Sequence, residues 1–263
     1  NDNEINENML RHMILNSLRM YRQSYFKEFG EFVICYDSKN YWRREYFPEY
    51  KAGRRKSRET SSHDWNDIFE CLNTIKSEIK DNFPYKVLEV YGAEADDIIA
   101  TLCGELEFDN GKTLILSGDK DFIQLHKFKN VKQYSPITKK FINGEDPKEY
   151  LYQHILKGDS SDGVPNVLSP DNTFVDGLRQ RPLSKKKISE WAGPLCEQIL
   201  PNDELKRNYQ RNKKLIDLQE APQELHLECI RTYQDAPEGD RSKLLNYFIK
   251  NRLNDLMENI GDF

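Results

Sequence analysis

The stretch "TLILSGDKDFIQLHKF" (residues 113–128) decides how the chain is read. Leu114, Ile115 and Leu116 form the apolar run of a buried strand, yet Asp119 and Asp121 follow almost at once. Carboxylates at the end of a core strand carry a desolvation penalty unless something binds them. Two further runs share the strand character, "EFVICYD" (31–37) and "YKVLEV" (85–90), and "VKQYS" (131–135) offers a fourth. Helical stretches at 9–29, about 64–82 and 94–107 lie between them. This alternation predicts an α/β fold, a mainly parallel central sheet flanked by helices. In such sheets ligands bind beyond the carboxyl ends of the strands. Asp37 ends the first run, Glu94, Asp96 and Asp97 follow the second, and Asp119 and Asp121 follow the third.

After residue 146 the character changes. "DPKEYLYQHILKGD" (146–159) reads as a helix, no convincing strand follows, and helical segments continue to residue 263. The expected division is an α/β part over 1–146 and a helical part over 147–263, packed on the first or interleaved with it.

The bulk numbers exclude several classes. A chain of 263 residues has length for a real core, and 32% charged against 37% hydrophobic residues suits a soluble protein. No apolar run reaches the length of a membrane span, and no signal segment opens the chain. Five scattered cysteines without a CxxC pair speak against disulfides and zinc and fit a reducing cytosol. The histidines are equally scattered, which gives a histidine-metal site little support. The net charge of −5 hides local patches. Residues 39–59, "KNYWRREYFPEYKAGRRKSRE", hold eight basic residues against three acids, and 179–187 hold five and none.

Each acid cluster taken alone has a plain structural reading. Glu94, Asp96 and Asp97 favour a helix dipole, "SGDKDF" is a polar turn, and Asp159 and Asp162 in "KGDSSDG" cap a helical turn. Together they and Asp37 make eight carboxylates at one strand edge, which repel unless cations neutralise them. Carboxylate oxygen suits Mg²⁺ or Mn²⁺. Two such ions, about 3.5–4 Å apart, serve phosphodiester cleavage. The basic stretch after Asp37 has two readings: a solvated helix with an aromatic face in the core, or a phosphate-gripping segment whose aromatics stack on bases.

With "EADD", "GDKDFIQL" and "KGDSSDGVPNV" in that order, and "YWRREYFPEYKAGR" after a strand-ending Asp, the chain resembles the flap endonuclease / 5′-nuclease family. Within it the likeness is to the branch of the T-even phage ribonucleases H, and it runs from "MLRHMILNS" to "YFIKNRLNDLMENIGDF". The resemblance implies a sheet-based nuclease core, a helical arch at about 40–62 and a helical DNA-binding region. It implies Asp37, Glu94, Asp96, Asp97, Asp119, Asp121, Asp159 and Asp162 as the acids for two Mg²⁺ ions, with Mn²⁺ as substitute. It also implies Lys51 and Arg54 at the scissile phosphate. Arg43, Arg44, Tyr46, Arg55, Lys56 and Arg58, with Arg179, Arg181, Lys185, Lys186 and Lys187, are the expected nucleic-acid contacts. The expected substrate is branched, nicked or RNA-primed duplex DNA, cut by a monomer in the cytoplasm of a phage-infected bacterial cell. A sliding clamp and a single-stranded-DNA-binding protein are partners implied by the replication role.

The sequence departs from the family at two places. "GVPNV" runs into "LSPDNTFVDGLRQRPLSKKK" rather than a glycine-rich helix-hairpin-helix, which puts the K⁺ site in doubt. Family members also begin with a strand ending in Asp, so a strand upstream of Asn1 is expected. Two rival readings stand beside the nuclease. One is a structure-specific DNA-binding protein with weak or no cleavage. The other is a haloacid-dehalogenase-type phosphatase, whose GDxxxD signature "GDSSDG" resembles but which should follow a buried strand.

Overall fold

The computed structural model describes residues 6–59, 61, 64–108 and 111–263; the side chains of Arg55, Lys56, Ser57, Glu59, Glu107 and Phe108 fall outside that description. In chain order, helix α1 (Glu7–Phe29) leads to strand β1 (Val33–Tyr36), then helices α2 (Trp42–Tyr46), α3 (Ala52–Glu59) and α4 (Trp65–Asn82). Strand β2 (Lys86–Glu89), helix α5 (Ala95–Phe108) and strand β3 (Thr113–Leu116) follow. A 3₁₀ helix at Lys120–Lys127 precedes β4 (Val131–Ser135) and β5 (Lys140–Phe141). The rest is helical: α6 (Pro147–Lys157), α7 (Lys185–Trp191), α8 (Cys196–Ile199), α9 (Asp203–Ile216), α10 (Gln223–Asp235), α11 (Leu244–Lys250) and α12 (Asn254–Met257). Among the described residues no helix is long and apolar enough to cross a membrane.

The contacts gather the chain into two units, Asn1–Tyr36 with Thr60–Glu89 and Arg231–Phe263, and Asp37–Glu59 with Val90–Ile230. In the first unit β1 and β2 pair in parallel, with Val33 opposite Lys86 and Tyr36 opposite Glu89. Asn6 caps α1 and Asp64 caps α4, each side chain accepting from the first turn's N–H groups. Leu15, Ile75, Ile79, Phe83, Phe248 and Phe263 form this unit's core.

In the second unit β3 and β4 pair in parallel and β5 returns antiparallel to β4. The strands are thus mainly parallel, as expected, but they form two ladders rather than one sheet. Among the described residues β1 pairs only with β2, and β3 only with β4. Phe122 and Leu125 of the 3₁₀ helix pack with Ile115 and Val131. A second cluster joins Phe47 and Tyr50 to Ile155, Leu156, Val164 and Val167 and to Leu205, Tyr209 and Leu215 of α9. The segment before "GDSSDG" is helix α6, so the strand required by the phosphatase reading is absent and that reading is dropped.

Candidate active site

Every sequence-predicted acid lies in the second unit, and local hydrogen bonds place each one. Asp119 sits at the N-cap of the 3₁₀ helix, where its Oδ1 accepts from the Asp121 N–H at 3.0 Å. The turn before it is pinned from β4: buried Gln133 donates its amide to Ser117 O (2.9 Å) and Asp119 O (2.6 Å). Asp159 Oδ1 accepts from Ser161 N and Ser161 Oγ, both at 2.7 Å. Asp37 Oδ1 accepts from the Ala95 N–H at 2.8 Å, at the start of α5.

The loop carrying Asp159 and Asp162 is held from α9. Asn212 Nδ2 donates to Ile155 O (2.8 Å) and Pro165 O (2.9 Å), Asn208 Nδ2 to Val167 O (2.9 Å), and Arg211 Nη2 to Pro165 O (2.8 Å). These three side chains are buried, and they satisfy carbonyls that no strand or helix pairs. Gly158 starts the loop at φ +67°, where an added Cβ would stand 2.4 Å from Val164 O.

Six acids share one electrostatic neighbourhood. Burial, then the charges of Asp119, Asp121 and Glu94, push the Asp96 carboxyl up to about 7. Burial likewise pushes Asp121 up to about 7, with Asp119, Asp159 and Asp162 adding repulsion against the pull of His154. Burial raises Asp159 as well, but His154 and the two Ser161 hydrogen bonds outweigh it and hold the carboxyl below its usual range. His154, on α6, has Nδ1 3.4 Å from Asp121 Oδ1 and Nε2 3.7 Å from Asp159 Oδ2. Ligand atoms of Asp121, His154 and Asp159 all lie within 4.8 Å of one another, a spacing that suits one metal ion.

A second group surrounds Glu94 and Asp162. Lys51 Nζ lies 2.5 Å from Glu94 Oε1 and 3.4 Å from Asp162 Oδ2. Tyr50 donates its hydroxyl to Asp162 Oδ2 (2.9 Å) and approaches Glu94 Oε2 (3.1 Å). Arg54 pairs with Asp162 Oδ1. Burial would lower the Lys51 ammonium, but Asp162 and Glu94 together raise it above the usual lysine value. Lys51 and Arg54 therefore meet the acids without any phosphate present.

The structure reassigns Arg43 and Asp97. Arg43 is 1% exposed, so it has no surface to offer DNA. Its guanidinium donates to both Asp97 oxygens, to Glu94 Oε2 and to Leu215 O at 2.8–2.9 Å. Asp97 also accepts from Trp42 Nε1 (3.2 Å) and from the Glu94 N–H (3.0 Å), reaching back to the helix start as an acid at N3 does. Three of these bonds fall on Oδ2 and one on Oδ1, so the carboxylate is anchored in a structural network.

The basic stretch divides by burial. Trp42, Phe47 and Tyr50 are core and Tyr41 is half-buried, whereas Tyr46 is exposed. Arg44 is exposed and stacks over Tyr41 at 5.0 Å. Arg58 is exposed at the end of α3, while the side chains of Arg55 and Lys56 lie outside the described residues. Arg179, Arg181, Lys185, Lys186 and Lys187 are all exposed before and along the first turns of α7, where Ser184 caps the helix. Arg181 stands 3.6 Å from Glu204 and Lys186 3.8 Å from Glu190.

Fold and site together define a carboxylate-centred nuclease of the 5′-nuclease type. The chain belongs to the 5′-3′ exonuclease family: residues 3–152 match its N-terminal resolvase-like domain, and residues 147–263 match the family described as T4 RNase H, C terminal. It is 35% identical to the ribonuclease H of Enterobacteria phage T4 over 271 positions, which span 99% of this chain and 88% of that protein. It is 33% identical to the 5′-3′ exonuclease of Buchnera aphidicola over 54% of this chain and 50% of that one. Two solved structures share the fold. The zinc-bound 5′-exonuclease of phage T5 has a TM-score of 0.63 at 20% identity, covering 84% of this chain and 91% of that one. The flap endonuclease of bacteriophage T5, in a pseudo-enzyme–product complex with DNA and metal ions, has a TM-score of 0.63 at 19% identity, covering 84% and 90%.

Proposed function

We propose that this chain is a divalent-metal-dependent 5′ nuclease, a 5′-to-3′ exonuclease and flap endonuclease that removes RNA primers or 5′ flaps during DNA replication. The observation that carries this reading is the cluster of half-buried Asp96, Asp121 and Asp159 with exposed Asp119 beside them, whose burial and mutual repulsion call for a cation. The donor set suits such an ion, since carboxylate oxygens surround a buried imidazole nitrogen, His154 Nδ1, that has no hydrogen-bond partner. Two Mg²⁺ ions, replaceable by Mn²⁺, are held by these acids with Asp37, Glu94 and Asp162 around them. Bound there, the ions supply Lewis acidity to the scissile phosphate and acidify water.

The chain's own cations do the rest. Lys51 and Arg54 exchange Glu94 and Asp162 for the phosphate and offset the charge that develops on it. Arg44, Tyr46, Arg55, Lys56 and Arg58 contact the branched, nicked or RNA-primed duplex near the cut, and Arg179, Arg181 and Lys185 to Lys187 grip its backbone farther away. The same reading carries a monomer in the cytoplasm of an infected bacterial cell, with the K⁺ site in doubt, and its replication role implies a sliding clamp and a single-stranded-DNA-binding protein as partners. It is tested with a labelled 5′-flap duplex in Mg²⁺. Wild type shortens the label, whereas Asp119→Asn and Asp121→Asn bind the flap and leave it whole. A folded wild-type chain that binds the fork but cuts in neither Mg²⁺ nor Mn²⁺ is instead a structure-specific DNA-binding protein.

A further inference from the structure

His154 belongs to no motif singled out in the sequence, yet its ring stands between two acids of the site. Tyr150, one turn earlier on α6, packs edge-on against that ring with centroids 5.6 Å apart and fixes its plane. Nδ1 faces Asp121 Oδ1 at 3.4 Å and Nε2 faces Asp159 Oδ2 at 3.7 Å. Both separations exceed the roughly 2.7–3.2 Å of a hydrogen bond, and Nδ1 is buried with no hydrogen-bond partner at all.

A neutral imidazole carries its proton on one nitrogen and a lone pair on the other. Asp159 Oδ1 is already occupied by Ser161 N and Oγ, so its other oxygen, Oδ2, 3.7 Å from Nε2, is the one that favours the proton on that nitrogen. That tautomer points the Nδ1 lone pair at the Asp121 carboxylate, which is repulsive unless a cation lies between them. The spacing fits one. Two ligand atoms on an ion bound at about 2.1 Å are roughly 3.0–3.4 Å apart as the angle opens from octahedral to tetrahedral.

We infer that His154 Nδ1 is a direct nitrogen ligand, with Asp121, of one of the two divalent ions, and that Asp159 acts behind it by orienting the ring through Nε2–H. This rests on the two-ion reading above and refines it. A carboxylate behind a metal-bound histidine fixes the tautomer and strengthens the donor. A nitrogen donor also biases the position toward transition metals and away from Mg²⁺.

The test uses the full chain stripped of metal and loaded with Mn²⁺ alone, without DNA, and read by pulsed electron paramagnetic resonance. Wild type should show ¹⁴N modulation from a coordinated imidazole. His154→Gln should still bind Mn²⁺ but lose the modulation, and its preference for Mn²⁺ over Mg²⁺ in direct titrations should fall about tenfold. Asp159→Asn should keep the modulation while Mn²⁺ affinity drops about 10–100-fold, as for other outer partners. Wild-type Mn²⁺ binding without ¹⁴N modulation overturns the ligand assignment and leaves the nuclease reading intact, as does modulation unchanged in His154→Gln. A wild-type chain that binds no Mn²⁺ overturns both.

Discussion

Lys51 and Asp162 are joined twice, once through the backbone and once through the side chains. The Lys51 N–H donates to Asp162 O at 2.7 Å, and Lys51 Nζ stands 3.4 Å from Asp162 Oδ2. Lys51 also holds φ +56°, a left-handed conformation that a long side chain adopts only when its surroundings impose it. The residue that begins the basic helix α3 is therefore fixed to the acid loop before any substrate arrives.

That placement predicts how Lys51 and Arg54 act. Lys51→Ala and Arg54→Ala should each slow single-turnover cleavage about 10²–10³-fold at saturating enzyme, with little change in flap affinity, because their charges act mainly in the transition state. An unchanged rate with weaker affinity would make both residues ordinary phosphate contacts.

Arg43 and Arg44 are adjacent in sequence and should behave oppositely. Arg43→Ala leaves Asp97 buried without its cationic partner, and Glu94 with Lys51 alone, a loss of about 3–5 kcal/mol that should appear as a large drop in melting temperature. Arg44→Ala should stay within about 0.5 kcal/mol of wild type. It should weaken DNA binding and lower the salt dependence by about one counterion. Thermal melts beside a salt titration of binding separate the two.

The raised acids set a pH profile for the metal-free protein. Asp96 and Asp121 titrate near 7 in the folded chain, far above ordinary aspartate, so the folded state binds more protons than the unfolded state between about pH 4 and 7. Their contribution therefore declines as pH rises through that window. His154, whose pKa is raised by Asp159 and Asp121 against its burial, adds a decline of the same sign. Melting temperatures in EDTA should fall from pH 5 to pH 7.5, and saturating Mg²⁺ or Mn²⁺ should flatten the curve. A flat curve in EDTA would show that burial and neighbouring charge do not raise Asp96 and Asp121 in the folded chain.

Gly158→Ala should damage the site from outside it. The added Cβ would meet Val164 O and Pro165 O, both backbone, at 2.4 and 2.5 Å, in a conformation already left-handed. The loop must shift, so metal affinity and cleavage should fall together with stability. Gly193→Ala, where nothing lies within 4 Å, is the matched control.

The strands and long helices were legible because their periodicities are strong. The expected 131–135 strand and the 9–29, 64–82 and 94–107 helices coincide with β4, α1, α4 and α5 to within two residues. The pairing into two ladders was not legible, since buried parallel strands look alike in sequence and nothing local says which ones are neighbours. At the site, residue type alone could not separate Asp97 from Asp96: one faces Arg43 and Trp42, the other faces acids. Arg43 was misread for the same reason, because a basic run gives no sign of which member turns inward. His154 escaped notice because its partners lie on other elements. Its one local signal was a place on α6 in the same "QHILKGD" run as Asp159.

The amide and guanidinium side chains of α9 act as a mould for the loop that bears Asp159 and Asp162. The loop's shape is thus written some forty residues downstream, in Asn208, Arg211 and Asn212, rather than in its own neighbours. What lies between, residues 172–202, crosses the exposed basic segment and ties back to the loop's end: Gln180 Oε1 accepts from the Asn166 N–H at 2.7 Å, Arg181 O accepts from Asn166 Nδ2 at 2.9 Å, and the Arg181 N–H donates to Ser169 Oγ at 2.9 Å. The side chains of Arg179, Lys185, Lys186 and Lys187 take no part in those ties, so the surface charge of the segment can change while the acids stay in register. Charge at the surface and shape at the acids are thus set by different atoms of one segment.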